Sequence, residues 1–336
     1  MKLYEFRETK GIDSLTPLER EVPKPGPGQV LVRVHAVSLN YRDLLIAEGK
    51  YMRGLKLPLI PFSDGAGEVA DIGPGVSRVQ EGDRVAGIFM QNWLSGEVSP
   101  YVTRASLGGS VDGMLAQYVV LHENGVTRIP SHLSYEEGAT LPCAAVTAWN
   151  ALTGWMLKPG ISVLVQGTGG VSMFALQFAK LAGARVIVTS SNDDKLRRAA
   201  ELGADDGINY KTNPDWDSEA VKLTGGIGVD HVIEVGGPAT LGRSMNAVRV
   251  GGRISVIGLL AGPEADVSPM PILGKQIQVQ GIFVGSRDMF EAMNRAIALH
   301  TLRPVVDRVF KFDEARDALR YMQSGKQFGK IVVEVS

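Results

Sequence analysis

Residues 166–172 read Gln166-Gly167-Thr168-Gly169-Gly170-Val171-Ser172, or QGTGGVS, and this stretch decides the fold of the middle of the chain. It follows a short apolar run, ISVLVQ at 161–166, and leads into VSMFALQFAKLAG, whose apolar spacing is typical of a helix. A second apolar run, ARVIVTSS, follows at 184–191. A strand, a glycine turn, a helix and a second strand in this order predict a βαβ unit that binds a dinucleotide.

The glycines of this turn have separate roles in such a unit. Gly167 permits the tight turn, and Gly169 lets the backbone approach a pyrophosphate, to which the helix presents its N-terminal amides. The usual pattern has a third glycine for helix–strand packing, and Ser172 replaces it here, which should cost little and leave phosphate binding intact. The alternative is a plain strand-to-helix turn without a ligand, but the complete βαβ unit favours dinucleotide binding.

The apolar runs continue along the chain and predict a doubly wound parallel sheet. Six strand candidates, most of them separated by helical patterns, lie at 161–166, 184–191, 207–210, 229–235, 252–258 and 277–285. The first third of the chain has short strands punctuated by Gly and Pro, and the tail predicts a helix near 287–300, a strand near 305–311, a helix at 313–324 and a strand at 329–335. We expect an α/β protein in which a dinucleotide-binding domain, 127–285, is inserted into a β-rich domain formed by 1–126 and 286–336.

The composition indicates which kinds of partner and which compartment to expect for this protein. The 35 Lys and Arg residues nearly balance the 36 Asp and Glu residues, which argues against a nucleic-acid-binding or polybasic membrane surface. No apolar run is long enough to span a bilayer, and the start MKLYEFRETK lacks the apolar segment of a signal peptide. The single cysteine, Cys143, excludes an internal disulfide and fits a reducing compartment. We expect a cytoplasmic protein that acts on a small molecule.

The end of the second strand bears on which dinucleotide binds. A site for NAD(H) usually has an Asp or Glu there for the ribose hydroxyl, whereas residues 189–192 read TSSN and Lys195 follows one helical turn later. Hydroxyl groups and a cation suit a 2′-phosphate, so NADP(H) is favoured over NAD(H). The alternative makes Ser190 and Ser191 a helix N-cap and Lys195 a solvated side chain. The two aspartates at 193–194 also place negative charge nearby.

Several long motifs occur in an order that resembles the medium-chain dehydrogenase/reductase superfamily over almost the whole chain. They are PGPGQVLVRVHAVSLNYRD at 25–43, GAGEVADIGPGV at 65–76, GDRV at 82–85, LPCAAVTAW at 141–149, GTGGVS at 167–172, GGRISVIG at 251–258 and FGKIVV at 328–333. The resemblance implies a GroES-like β-rich catalytic domain interrupted by a Rossmann domain, with the active site between them.

The resemblance also places the family's catalytic zinc ligands, and here they are largely absent. The matching positions are Asn40, Ser63 with Asp64, and Cys143, of which the amide and the hydroxyl are poor zinc donors. Asp64 and Cys143 remain as a marginal pair, and the loop at 89–109 lacks the cysteines of a structural zinc lobe. The chain therefore resembles the zinc-free, quinone oxidoreductase-like branch, and we expect no zinc.

The same branch implies the residues of the site. It places Asn40 and Asp43 beside the nicotinamide, Thr147 near the nicotinamide ribose, and a Lys and Tyr pair fifteen positions apart, Lys195 and Tyr210, at the 2′-phosphate. The predicted cofactor-binding residues are Thr147, Gly167, Thr168, Gly169, Gly170, Val171, Ser190, Ser191, Lys195, Tyr210 and Gly258.

Hydride transfer without a metal needs hydrogen-bond donors to stabilise the oxygen that becomes negative. The Asn40 amide is the candidate donor, unless it only orients nearby backbone, and Asp43 is expected to hold the start of a helix. Cys143, among Pro and Ala residues, suits packing better than nucleophilic attack. No general acid is visible, which favours quinones or enones over simple ketones. The alternatives are an NAD(P)-dependent alcohol dehydrogenase and a dinucleotide-binding protein without turnover.

The last strand of the predicted sheet is expected to be an edge. Residues 276–285, QIQVQGIFVG, are apolar at alternate positions, and an uncovered edge leaves backbone groups unpaired. We expect a homodimer in which this strand pairs with its copy across a two-fold axis, as related dehydrogenases do. The alternative is a monomer in which the loop near 260–273 covers the edge.

Overall fold

The computed structural model describes residues 1–51, 54–155, 157–260, 262 and 266–336. These residues form two compact units, one made of 1–146 together with 284–336, and the other of 147–283. The predicted loop near 260–273 lies partly outside the described residues. None of the helices in the described ranges is both long and apolar enough to cross a lipid bilayer.

The helices and strands follow the chain in three groups. Residues 1–145 contain β1 Lys2–Phe6, β2 Leu15–Glu19, β3 Gln29–Ser38, α1 Tyr41–Ala47, β4 Asp64–Ile72, β5 Arg84–Gly87, β6 Tyr118–His122, β7 Val126–Arg128 and α2 Tyr135–Ala139, followed by a π-helical turn at Leu141–Ala145. The middle contains α3 Val146–Thr153, β8 Ser162–Gln166, α4 Gly170–Leu181, β9 Arg185–Ser190, α5 Asp193–Glu201, β10 Asp206–Asn209, α6 Trp216–Leu223, β11 Val229–Glu234, α7 Pro238–Ala247, β12 Val248–Val256, α8 Met270–Gly274 and β13 Gln278–Gly281. The tail contains α9 Arg287–Leu299, β14 Val306–Lys311, α10 Ala315–Gln323 and β15 Lys330–Glu334.

The second unit is built on the predicted parallel sheet. Its six strands have the order β10-β9-β8-β11-β12-β13, and every pairing is parallel. Val163, Leu164 and Val165 of β8 are completely buried, as expected for a central strand covered by helices on both faces. The strand order reverses between β8 and β11, and in such sheets ligands bind outside the carboxyl ends of the strands at this point. The Rossmann-type fold is confirmed.

Two strands of this sheet differ from the sequence prediction by more than two residues at one end. β12 begins at Val248 rather than 252, because Val248 already pairs with Val229 of β11. The register then shifts, and the pairing continues from His231 with Arg253. β13 ends at Gly281 rather than 285, and the backbone of Val284 then adopts a positive φ of 54° that a strand does not tolerate.

The first unit contains a seven-stranded sheet with the path β14-β15-β3-β4-β5-β7, and β6 also pairs with β3. The tail rejoins it because β15 lies between β14 and β3, parallel to one and antiparallel to the other. Leu3, Phe6, Val34 and Ile331 belong to its buried core. The segment 127–146, which the sequence assigned to the dinucleotide-binding domain, belongs to this unit because β7 pairs with β5 and α2 packs on β3 and β4.

Candidate functional site

The glycine turn joins β8 to α4 in the second unit. Gly167 has a positive φ of 68°, and a Cβ atom built on Gly167 or Gly169 would meet nothing within 4 Å. The turn therefore faces open space. Gly169 caps α4, a helix of 12 residues, and Gly170 and Val171 begin it. The first N–H groups of a helix have no partner within the helix, so this turn presents donors to an anion. Thr168 lies between the two glycines and is 6 % exposed.

Ser172 does more in this turn than the sequence suggested. Its side chain is 2 % exposed, and its Oγ donates a hydrogen bond of 2.7 Å to the backbone oxygen of Gln166. The serine thus ties the first turn of α4 to the end of β8. A third glycine would leave that oxygen without this donor, so the replacement adds a connection at the turn.

A buried carboxylate next to the turn was not predicted. Glu234, at the end of β11, is fully buried. Its carboxylate accepts hydrogen bonds from Gly236 N at 2.8 Å, Gly237 N at 3.0 Å, Thr240 Oγ1 at 2.6 Å, Gln166 Nε2 at 2.7 Å and Ser244 Oγ. The Gln166 side chain accepts from Val235 N and Gly236 N in turn. This network links the carboxyl ends of β8 and β11, the two strands at which the sheet order reverses. The only signal in the sequence is a glutamate that closes an apolar strand.

Two further predicted residues lie in this unit. Gly258 follows β12, and a Cβ atom there would lie 2.4 Å from the backbone oxygen of Val235, so the close packing beside the end of β11 requires glycine. Thr147 lies in the first turn of α3 and is 4 % exposed.

The predicted 2′-phosphate residues come together at the end of β9. Ser190 is the last residue of β9 and pairs with Asn209 of β10, so Tyr210 follows directly and donates its N–H to the Ser190 oxygen at 3.0 Å. Lys195 lies in the first turn of α5, and its N–H donates to Asn192 Oδ1 at 3.1 Å. Asn192 is therefore the helix N-cap. The alternative in which Ser190 and Ser191 cap the helix is wrong.

The two aspartates near these residues already have partners. Asp193 Oδ1 accepts a hydrogen bond from Asn209 Nδ2 at 2.7 Å, and Asp194 forms an exposed ion pair with Arg197 at 2.6 Å. Both carboxylates lie in the first turn of α5, where the helix dipole favours negative charge.

Asn40 lies in the first unit, between β3 and α1, and it binds three groups. Its N–H donates to Asp43 Oδ2 at 2.7 Å, and its Nδ2 donates to Ser63 Oγ at 3.3 Å. Its Oδ1 accepts a hydrogen bond of 2.6 Å from Lys330 Nζ on β15. The sequence prediction included Asn40 and Asp43 but missed Lys330.

Asp43 caps the start of α1 from a fully buried position. Burial raises the pKa of its carboxyl to about 7, although the Arg42 charge and the Asn40 N–H oppose the shift. Among the described residues, Oδ1 of Asp43 has no hydrogen-bond partner. The group thus changes charge near neutral pH.

Asp64, Ser63 and Cys143 adjoin Asn40. Ser63 Oγ donates to Asp64 Oδ1 at 2.7 Å, the Cys143 N–H donates to Asp64 Oδ2 at 3.1 Å, and Lys330 Nζ lies 3.9 Å from Asp64 Oδ2. Burial raises the pKa of Asp64, and the Lys330 charge opposes this. Burial, followed by the Asp64 charge, raises the pKa of the Cys143 thiol, which packs against an apolar cluster that contains Phe89.

As a donor set, these residues do not fit a tetrahedral zinc. The amide and the hydroxyl are weak donors for zinc, and an ammonium lies 3.9 Å from the one carboxylate. In the part of the chain that the structure describes, no three His, Cys, Asp or Glu side chains are grouped so that they could hold a metal ion.

Comparison with known proteins gives two family matches and relatives that cover nearly the whole chain. Residues 26–131 match the alcohol dehydrogenase GroES-like domain, and residues 170–298 match the zinc-binding dehydrogenase domain. A zinc-type alcohol dehydrogenase-like protein of Schizosaccharomyces pombe is 47 % identical over 98 % of this chain and 97 % of its own.

Two solved structures are also similar over the full length of both chains. A NAD-dependent alcohol dehydrogenase has a TM-score of 0.92 and 34 % identity. A mycobacterial protein solved in complex with NADPH has a TM-score of 0.83 and 26 % identity.

Proposed function

This chain belongs to the alcohol dehydrogenase family of the medium-chain dehydrogenase/reductase superfamily and is an NAD(P)-dependent oxidoreductase, and we propose that it is a zinc-independent, NADPH-dependent reductase of quinones, enones or related activated carbonyl compounds. The observation that carries this proposal is the set of groups around Asn40. An ammonium, an amide and a hydroxyl occupy the neighbourhood in which a metal-dependent relative needs metal ligands.

The chemistry follows from these groups. When bound, NADPH supplies a hydride. The Asn40 amide donates a hydrogen bond to the substrate oxygen as negative charge develops on it, and one such donor typically changes kcat by about 100- to 1,000-fold. Asp43 holds Asn40 at the start of α1. The proton then comes from solvent, which suits a quinone or an enone because these acceptors tolerate protonation after hydride transfer.

The preference for NADPH rests on the end of β9. Ser190, Ser191, Lys195 and Tyr210 lie on neighbouring segments at the end of β9, and the sequence TSSN at 189–192 has no carboxylate at the strand end to bind a ribose hydroxyl instead. Asp193 is bound to Asn209. The glycine turn, Thr147 and Gly258 would hold the remainder of the dinucleotide. Titration of intrinsic fluorescence with NADPH and with NADH tests the preference, and equal affinities would refute it.

The activity is tested by NADPH consumption with quinones, enones, simple ketones and aldehydes, each with and without a chelator. We expect turnover of the first two classes and no effect of chelation. Turnover restricted to ketones, or loss of activity on chelation, would overturn the proposal. NADPH binding without turnover of any of these compounds would also overturn it.

An NAD(P)-dependent alcohol dehydrogenase is the second candidate. It is favoured by Asp64 and Cys143, which remain at two of the three family ligand positions, and by the names of the yeast relative and of the NAD-dependent structure. Alcohol oxidation with NAD⁺ that requires added zinc would support this candidate over the first.

We also propose that the protein is a cytoplasmic homodimer that uses the strand at 276–285. Within the described residues β13 pairs with β12 alone, and apolar side chains beside it are exposed: Val279 by 37 %, Phe283 by 47 %, Met270 by 66 % and Leu273 by 74 %. Antiparallel pairing with a second copy would cover these groups. Light scattering at micromolar concentration decides between dimer and monomer. The single cysteine supports a reducing compartment.

A further inference from the structure

Lys330 is the first donor of a directed hydrogen-bond chain in the first unit. It lies on β15 and is 3 % exposed, and its ammonium donates to Asn40 Oδ1 and to the Leu39 backbone oxygen, both at 2.6 Å. An ammonium can only donate. Lys330 therefore fixes which end of the Asn40 amide faces it, namely the oxygen, and the nitrogen must point the other way.

The remaining links run in the same direction. Asn40 Nδ2 donates to Ser63 Oγ at 3.3 Å, and Ser63 Oγ donates to Asp64 Oδ1 at 2.7 Å. A positive charge begins this chain and a carboxylate accepts at its end. Hydrogen bonds that follow one another in a low-dielectric interior polarise each other, and a bond from a charged donor is stronger than a neutral one. The cation on the amide oxygen makes the amide N–H a better donor.

We propose that Lys330 is a positioning residue for the reaction: it orients the Asn40 amide and strengthens its N–H as a donor to the substrate oxygen. This proposal rests on the reductase function proposed above. A purely structural role would differ from it, because Lys330 would then only neutralise Asp64, 3.9 Å away, and bind the Leu39 oxygen at the end of β3.

A double-mutant cycle separates the two roles. We expect Lys330→Met and Asn40→Ala each to lower kcat by at least about tenfold, and the double variant to be no slower than the worse single variant, because both remove the same donor. The affinity for NADPH should stay within about twofold throughout. Effects of the two substitutions on kcat that multiply would overturn the proposal.

Lys275→Met is the matched control. Lys275 also carries a partly buried ammonium, which donates to the backbone oxygens of Met245, Asn246 and Val248 at 2.8 to 3.0 Å. It lies in the second unit directly after α8, and its ammonium contacts the end of α7 and the start of β12. We expect this control to lower thermal stability and leave kcat unchanged. An equal fall in kcat for the two methionine variants would show that loss of a buried ammonium alone explains the effect, and would contradict the proposal.

A second measurement does not depend on activity. In NMR spectra of protein labelled with heavy nitrogen in its asparagine amides, the Asn40 side-chain signal is the one that disappears in Asn40→Ala. We expect it to move in Lys330→Met and to stay in place in Lys275→Met. Lys330→Gln, which keeps a neutral donor, provides the test if the methionine variant does not fold, and we expect it to move the signal as well. An unmoved signal overturns the positioning role, whereas a moved signal in a protein that reduces none of the compounds above overturns only the reductase function.

Discussion

Replacement of the buried carboxyl at the start of α1 should change how stability depends on pH. In the folded protein burial raises the pKa of Asp43 from 3.8 to about 7, whereas the unfolded chain keeps the ordinary value. Between these values the folded state binds a proton that the unfolded state has lost, so stability falls as pH rises and is flat above about pH 7. At ~1.4 kcal/mol per pKa unit, this one group lowers the free energy of unfolding by roughly 2.5 kcal/mol between about pH 5 and about pH 8.

Asp43→Asn removes this titration. The amide oxygen of an asparagine can still accept the hydrogen bond that the Asn40 N–H donates at 2.7 Å, so the cap is retained. By the same linkage, the variant should already be more stable than the parent by about 1.6 kcal/mol near pH 5, where the carboxyl is ionised in the unfolded chain but not in the folded protein. The difference should grow by roughly a further 2.5 kcal/mol by about pH 8.

Urea denaturation at several pH values, followed by near-ultraviolet signals, measures the difference in the free energy of unfolding between the variant and the parent. The titrations of all other groups cancel in this difference. Asp83→Asn is the control of opposite sign. Burial raises the pKa of Asp83, but the hydrogen bonds from Arg128 outweigh it and lower the pKa below its ordinary value. The contribution of Asp83 to the free energy of unfolding is therefore present at neutral pH and is lost on acidification. A difference between Asp43→Asn and the parent that does not change with pH would refute the reasoning.

Four further outcomes are expected. Lys195→Ala should weaken NADPH binding by about 10- to 150-fold, or about 1.5–3 kcal/mol, and leave NADH binding unchanged in a fluorescence titration; equal losses would contradict the assigned phosphate contact. Purified protein should contain far less than stoichiometric zinc by elemental analysis and keep its activity after chelation, and bound zinc whose removal abolishes activity would oppose this. Val279→Pro should give a monomer mass in light scattering because proline cannot donate to a paired strand, while Ile227→Ser, at another exposed apolar position, should remain a dimer; a dimeric proline variant would exclude this strand. Ser172→Gly should lower the free energy of unfolding by about 1–2 kcal/mol, through the lost hydrogen bond and the added glycine in a helix, and an unchanged urea midpoint would refute that.

The parallel sheet was predictable from the sequence because its strands are local apolar runs. β8, β9 and β11 lie within one or two residues of the predicted limits. β12 and β13 departed further, since pairing with a neighbouring strand extends one and a positive φ ends the other. Neither effect can be predicted from the local pattern of apolar residues.

The polar groups of the site were predictable only where the resemblance gave them a role, as it did for Asn40 and Lys195. Lys330 lies in the motif FGKIVV, but no role was assigned to it, and its partner Asn40 is 290 residues away. Ser244 lies 78 residues from Gln166. Such pairs meet only after the sheets have formed, and the type of residue alone does not say which distant oxygen a lysine or a serine will bind. The hydrogen bond from Ser172 was missed for a different reason, because small size was taken to be its whole contribution.

The position of β15 between β14 and β3 has a consequence for biosynthesis. All strands of the second unit have been translated once residue 281 is made, but residues 36–38 of β3 receive β15 only after residue 330. At about 5–20 residues per second, the ribosome needs roughly 2 to 10 seconds for this interval. During it the nascent chain already contains its glycine turn, while residues 36–38 of β3 lack β15 on one side and Asn40 lacks its ammonium partner. A chain whose translation stops in this interval would contain every strand of the parallel sheet but would lack the lysine that binds Asn40.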